Sequence, residues 1–311
     1  MRHLIPIALL TVACSSETPK GWPPCANPVF DAQGHRGARA QRPENTLPAM
    51  EYALQKGVRT LELDLSVTQD DVLVLSHDPH LLPERCLTPD GKPADNVPIR
   101  SLTVQQLQQY DCGTLKNARF PAQQPVPKTP PPTLASVLEL AERMGGGNTR
   151  YNIETKIDPE WDPSLTPTPE KFAELVDKAL REANVVERSV VQSFDPRTLV
   201  ALKKMGSKLR TSLLVGGDRW AVIYEKLLGD PVARAAEIGA AVLSPEWHLA
   251  SASLVNAAHA KGIAVIPWTI NEEQVMLDVI ANGVDGIISD DVDLLMRVVK
   301  ERVPKGQGVC F

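Results

Sequence analysis

The stretch TLELDLSVTQDDVLVLSHD, residues 60–78, decides how the chain can fold. It holds two β-type runs, TLELDLSV (60–67) and VLVLSHD (72–78), with only TQDD between them. Parallel neighbours need a crossover of a dozen or more residues, so these two runs form an antiparallel hairpin. With Asp70 and Asp71 as the two turn residues, counting back pairs Gln69 with Val72, Val67 with Val74 and, at the base, Asp64 with His77. The hairpin rises above the sheet of its first run and returns His77 to the level of Asp64.

Working outward, further β-type runs are DAQGHRG (31–37), YNIETKI (151–157), SVVQSF (189–194), KLRTSLLV (208–215), AVLSPEW (241–247), IAVIPWTI (263–270) and DGIISD (285–290). Amphipathic helical runs such as 46–55, 134–144, 169–183, 253–260 and 272–281 fall between them. That alternation is the pattern of an α/β fold with a parallel sheet. Nine runs, less the returning arm of the hairpin, leave eight strands. The expectation is a (β/α)8 TIM barrel over 31–303, with a β-hairpin and a proline-rich insertion after the second strand. The insertion, 79–132, ends in PVPKTPPP and is expected to form a small cap over the barrel mouth, with one short helix near 104–110. Residues 304–311 form a C-terminal tail.

With 43% hydrophobic and 23% charged residues over 311 positions, the chain is globular rather than disordered. A net charge of -5 speaks against a nucleic-acid partner. No apolar run reaches the roughly 18 residues of a spanning helix. The N-terminus, MRHLIPIALLTVAC, has the outline of an export signal. It resembles a bacterial lipoprotein signal, although Thr11 stands where leucine is usual. On that likeness 1–13 is a signal peptide, Cys14 is lipidated and attaches the protein to a membrane, and 14–30 is a proline-rich tether. The location expected is then the bacterial periplasm or cell envelope. An oxidising compartment permits disulfides, and Cys25, Cys86, Cys112 and Cys310 allow 3 connectivities. The expected pairs are Cys86 with Cys112 inside the insertion, and Cys25 with Cys310, because a closed barrel brings its first strand beside its eighth.

The period of two sends Glu62 and Asp64 to one face of their strand and Leu61, Leu63 and Leu65 to the other; Glu154 and Lys156 also share a face. Inward carboxylates at strand ends are costly without a cation. A hard divalent metal, Ca2+ or Mg2+, on Glu62, Asp64 and Glu154 resolves that cost. In GHRGARAQRPENT (34–46) two glycines let a strand end turn His35 and Arg36 toward an anion. Phe194 and Trp268, at strand ends, either line a pocket or fill the barrel top. His80, His248 and His259 show no partner pattern, and His259, in a helical run, reads as a surface or packing residue.

In chain order, GHRG, PENT, LELDLSVTQD, LVLSHD, NIETK, QSFD, PWTIN and GVDGIISD resemble the glycerophosphodiester phosphodiesterases over about residues 33–290. The resemblance implies the same barrel, with His35 and His77 catalytic and Glu62, Asp64 and Glu154 as metal ligands. It places Arg36 and Lys156 on the phosphate and, with Phe194 and Trp268, sets Glu44 of the first-strand motif near the site among the substrate-binding residues. The implied reaction is hydrolysis of a glycerophosphodiester to an alcohol and sn-glycerol 3-phosphate. A glycerol hydroxyl attacks first, and water then opens the cyclic phosphate. No protein partner is expected. Two departures concern turn geometry: Asp71 stands where the family usually has glycine, and Val292 where proline is common. A lysophospholipase D or phospholipase C-like enzyme is the alternative that a long apolar groove under the insertion would favour. A non-catalytic surface-binding lipoprotein is the other, opposed by the complete set of site residues.

Overall fold

The computed structural model describes residues 28–217 and 229–309. In chain order the strands are β1 (Asp31–Gly34), β2 (Thr60–Val67), β3 (Leu73–Leu75), β4 (His80–Leu81), β5 (Val97–Pro98), β6 (Arg150–Thr155), β7 (Ser189–Ser193), β8 (Arg210–Val215), β9 (Val242–Pro245), β10 (Ala264–Val265) and β11 (Gly286–Ser289). The described helices are α1 (Leu47–Gln55), α2 (Val104–Leu107), α3 (Leu134–Gly145), α4 (Pro169–Glu182), α5 (Pro196–Lys204), α6 (Pro231–Ile238), α7 (Ala252–Ala260), α8 (Glu273–Ala281) and α9 (Val292–Arg302). Eight strands run parallel in the order β10-β9-β8-β7-β6-β2-β1-β11. The fold is a (β/α)8 barrel, as expected.

The barrel closes between β10 and β11 through a few backbone bonds: Asp285 N to Val265 O at 2.9 Å, Ile288 N to Pro267 O at 3.0 Å and Ile270 N to Ile288 O at 3.0 Å. Pro267 has no N–H to give β11 and Pro245 of β9 none to give β10, so regular strand in the run 263–270 covers only Ala264–Val265, although Ile266 N and Trp268 N still bond β9 at 3.1 Å. Leu61, Leu63 and Leu65 are fully buried in the core shared with Met50, Val137 and Phe172, leaving the opposite face of β2 to the barrel interior. Val292 begins α9 behind the cap Asp291, at the helix position where proline is favoured.

The hairpin register differs from the expected one by one residue. β3 pairs Leu65 with Leu75, Ser66 with Val74 and Val67 with Leu73. The turn is longer than two residues: Thr68 N donates to Val72 O at 3.0 Å and Asp71 N to Thr68 O at 3.1 Å. Asp71 takes φ 60, the left-handed position that closes a three-residue hairpin loop and suits glycine or aspartate. Arg100 of the insertion holds the Asp71 carboxylate at 2.7 Å. Ser76 N therefore bonds Asp64 O at 3.1 Å, and His77 stands one residue beyond the hairpin base while still lining the barrel cavity.

The insertion has a small core of its own. Leu81, Ile99 and Leu107 are buried with Val74 and Cys86, around the β4–β5 pair. Cys86 and Cys112 are disulfide-bonded as expected, with Cα atoms 4.0 Å apart. The helix near 104–110 is a single turn, α2. The C-terminal segment folds back, Val309 pairing with Val29 ahead of β1. The 1–13 signal, Cys14 and the Cys25–Cys310 pair lie outside the described residues.

His259, in the last turn of α7, places Nε2 2.8 Å from Asp285 Oδ2. That hydrogen bond, aided by the aspartate's charge, outweighs burial and raises the histidine pKa. A raised folded-state pKa gives stability that is full below the unfolded value near 6.5 and is lost as pH rises through the folded value. Denaturant midpoints of wild type and His259→Ala should therefore differ more at about pH 5.5 than at about pH 8.5. An equal gap at both would contradict the pairing.

Candidate active site

The parallel register of β2 on β6 sets Glu62 beside Asn152 and Asp64 beside Glu154. Glu62, Asp64 and Glu154 are all buried, and one oxygen from each lies within 4.8 Å of the others. Burial raises Glu62 well above the usual carboxylate range, and the charges of Asp64 and Glu154 add to it. Burial and Asp64 push Glu154 up to about 7 although Lys156 opposes them. Burial acts on Asp64 as well, but Arg36 and Lys156 outweigh it and hold Asp64 well below that range. Asp64 Oδ1 is buried and accepts no hydrogen bond. Three converging carboxylates, one with an unsatisfied oxygen, fit a hard divalent cation.

Amides orient the acids. Asn45 Nδ2 donates to Asp64 Oδ2 at 2.8 Å, and its Oδ1 accepts from Asp64 N at 3.2 Å. Gln192 Nε2 donates to Glu62 Oε1 at 2.7 Å. Asn152 Nδ2 donates to Gln192 Oε1 at 2.9 Å and to Gln33 Oε1 at 2.7 Å, and Gln33 Nε2 reaches Asp31 Oδ2 at 2.7 Å. This ladder runs through the barrel interior and keeps the Gln192 donor aimed at Glu62.

The turn at 34–37 needs its glycines. A Cβ on Gly34 would lie 2.2 Å from Gly37 O, and one on Gly37 (φ 85) would lie 2.7 Å from the Ala49 carbonyl carbon. Arg36, at φ 51, donates its backbone N to Glu62 Oε2 at 2.9 Å. Its guanidinium reaches Glu44 Oε1 at 2.6 Å and lies 3.1 Å from Asp64 Oδ2. Glu44 lines a small cleft together with His77, His80 and Arg85. Arg36, Arg39 and Arg85 surround it at 2.6, 2.7 and 3.0 Å, and they hold its carboxyl at about 2 against the upward pull of burial.

Both histidines face one cavity of about 200 Å³ that Arg36, Glu62, Glu154, Lys156, Phe194 and Trp268 also line. His35 Nδ1 lies 2.6 Å from Asp290 Oδ1, and Asn271 Nδ2 secures Asp290 Oδ2 at 2.8 Å. Its Nε2 lies 4.0 Å from Glu62 Oε2. His77 Nδ1 lies 3.2 Å from Asp78 Oδ2. Burial lowers both imidazoles, and the Lys156 and Arg36 charges help to bring His77 to about 4. Lys156 Nζ donates to Glu154 Oε1 at 2.7 Å. Phe194 and Trp268 meet edge to face at 5.3 Å, and Trp268 Nε1 is anchored on Ser244 O at 2.8 Å, so the pair forms an apolar wall. His80 lines a neighbouring cleft and His248 is exposed. The larger groove between α4 and α5, about 790 Å³, is an open surface lined by the paired Asp162 and Arg197.

Several supporting residues carried no assigned role in the sequence. Asn45, Asp78, Gln192, Asn271 and Asp290 lie inside the motifs PENT, LVLSHD, QSFD, PWTIN and GVDGIISD, so their positions were marked although their partners were not. Arg39 and Arg85 had no such signal.

Fold and site together define a barrel hydrolase with three acids that could hold a metal ion and two histidines lining the cavity beside them. The chain belongs to the glycerophosphoryl diester phosphodiesterase family, whose description matches residues 35–294. It is 29% identical over 267 residues to the glycerophosphodiester phosphodiesterase of Caldanaerobacter subterraneus subsp. tengcongensis, covering 86% of this chain and 96% of that one. The Bacillus subtilis glycerophosphodiester phosphodiesterase is 27% identical, covering 86% and 85%. A solved structure from Silicibacter pomeroyi DSS-3, assigned to the same family, superimposes with TM-score 0.80 at 28% identity over 88% of this chain and 94% of that one. An Oleispira antarctica phosphodiesterase solved with sn-glycerol-3-phosphate shares the fold at TM-score 0.65 and 21% identity, over 88% and 97%.

Gln192→Leu removes the donor that orients Glu62. Loss of such a supporting contact should weaken Ca2+ or Mg2+ affinity about 10–100-fold, measured by titration calorimetry. Unchanged affinity would show that the ladder does not position the ligand set.

Proposed function

We propose that the protein hydrolyses glycerophosphodiesters to an alcohol and sn-glycerol 3-phosphate. In this proposal Glu62, Asp64 and Glu154 hold one divalent ion, Ca2+ or Mg2+, and His35 and His77 are the acid–base pair. The observation that carries the reading is the convergence of two carboxylate-anchored imidazoles on the cavity that Lys156 and two acids of the triad, Glu62 and Glu154, also line. Each histidine is anchored through Nδ1, which leaves Nε2 for proton transfer. One takes the proton of the attacking glycerol hydroxyl as its oxygen bonds phosphorus, and the other protonates the departing alcohol oxygen. The roles reverse when water opens the cyclic phosphate. Arg36 and Lys156 offset charge on the phosphoryl oxygens. Phe194 and Trp268 provide a wall for the glycerol carbons. A bound divalent ion would supply Lewis-acid polarisation of a phosphoryl oxygen. The product agrees with the one named for the Oleispira protein.

Among the described residues, the space under the insertion suits small substrates better than acyl chains. The cleft lined by Leu75, Leu81, Leu82 and Pro131 holds about 40 Å³, little more than a water-sized group. The lysophospholipase reading needs a longer groove.

The proposal extends to export and anchoring through Cys14. It is supported by the signal-like N-terminus and by the Cys86–Cys112 bond, which suits an oxidising compartment.

His35→Ala and His77→Ala should each lower turnover about 10²–10⁴-fold with the fold intact, read as sn-glycerol 3-phosphate released from a panel of glycerophosphodiesters, with lysophosphatidate release from lysolipids measured alongside. Near-normal turnover in either variant, or release from lysolipids alone, would overturn the assignment. Cys14→Ser should move the protein from the membrane fraction to the soluble one. A variant that stays membrane-bound would rule out lipidation at Cys14.

A further inference from the structure

Arg85 belongs to the insertion and directly precedes the disulfide-bonded Cys86. Its Nη1 reaches two carboxylates at once, Asp78 Oδ2 at 2.6 Å and Glu44 Oε1 at 3.0 Å. Asp78 Oδ2 is also the atom that lies 3.2 Å from His77 Nδ1. Glu44 Oε1 is also the atom that accepts from Arg36 Nη1 at 2.6 Å. One nitrogen therefore ties the side of the cavity that carries His77 to the side that carries Arg36.

The sheet ladder stops short of His77 and Asp78, whose side chains it does not hold; beyond it the Asp78 carbonyl accepts from the Ser76 hydroxyl at 2.8 Å and, more weakly, from that of Ser66 at 3.5 Å. The last ladder pair of the hairpin is Leu65 with Leu75, and the side chains of His77 and Asp78 are each 31% exposed. A histidine in that position keeps its ring orientation only if its partner is fixed. Arg85 can fix that partner because its own backbone is fixed. Arg85 N and Cys86 N both donate to Leu82 O, at 3.1 and 2.9 Å, and Cys86 is buried in the core of the insertion. Without the Arg85 cation, the Asp78 and Glu44 carboxylates would face each other across the space it fills.

We propose that Arg85 is a positioning residue for the phosphodiesterase reaction: it holds Asp78, and through Asp78 the His77 imidazole, with Nε2 toward the cavity. The insertion is then a working part of the active site as well as a cover. This rests on the role of His77 proposed above, and the experiment separates the two.

The test is a double-mutant cycle on purified, metal-loaded protein with sn-glycero-3-phosphocholine as substrate, using Arg85→Ala, Arg85→Lys, His77→Ala and the combinations. Arg85→Ala should lower kcat about 10–100-fold, the range for loss of a supporting contact, while Ca2+ affinity by calorimetry stays at the wild-type value. Arg85→Lys should recover part of kcat, since one ammonium can still lie between the two acids. In the His77→Ala background neither Arg85 substitution should cost more than about twofold, because an interaction acting through one partner is not additive with that partner's loss. Near-normal turnover of His77→Ala alone would overturn the functional reading. An impaired His77→Ala in which Arg85→Ala or Arg85→Lys still costs its full factor would overturn the positioning role. If Arg85→Ala does not fold, the lysine variant carries the same cycle.

Discussion

Three carboxylates with oxygens within 4.8 Å of one another, all buried in a barrel interior, are the constraint around which the rest of this protein is built. Burying one ionised acid is expensive, and burying three side by side is more so. The surroundings show how the chain meets that cost. Arg36 and Lys156 stand beside Asp64, Asn45 and Gln192 donate to two of the acids, and the Arg36 backbone amide donates to Glu62. What is left over, the bare Asp64 oxygen and the upward-shifted Glu62 and Glu154, is what a divalent cation would satisfy.

The barrel makes this possible because register converts spacing along the chain into position in space. Closure brings β11 beside β1 with Ser289 against Gly34, and His35 N bonds Ser289 O at 2.8 Å. The residue after Ser289, Asp290, therefore meets the residue after Gly34, His35. His77 arrives by another route, on the return arm of a hairpin steadied by an insertion with its own small core and disulfide. The two imidazoles thus belong to parts of the chain with different sources of order. One is set by barrel closure, and the other by the contact of a loop with that barrel.

The parts of this arrangement that follow a period were readable in the sequence. Alternation in TLELDLSV and NIETK aimed Glu62, Asp64, Glu154 and Lys156 at one interior, and the four-residue gap in TQDD separated hairpin from barrel. Features set by a single backbone choice were not. The left-handed Asp71 moved the hairpin register by one residue, and Pro245 and Pro267, without N–H groups, shortened β10. Side-chain partners were harder still. Asn152, Gln192 and Gln33 form a ladder only because three different strands face one another, a relation that no local pattern encodes. Glu44 sits at a motif position that suggested substrate contact, yet three arginines claim it, and two of these, Arg39 and Arg85, lie outside the motifs that marked the site.

On the proposed function, hydrolysis depends on a divalent ion held by Glu62, Asp64 and Glu154. The most direct measurement is the turnover of sn-glycero-3-phosphocholine by purified protein stripped with excess chelator, as Ca2+ or Mg2+ is titrated back. The prediction is no turnover in chelator and a saturable return with added metal, abolished in Asp64→Asn. Full turnover in excess chelator, or an unchanged metal response in Asp64→Asn, would contradict it.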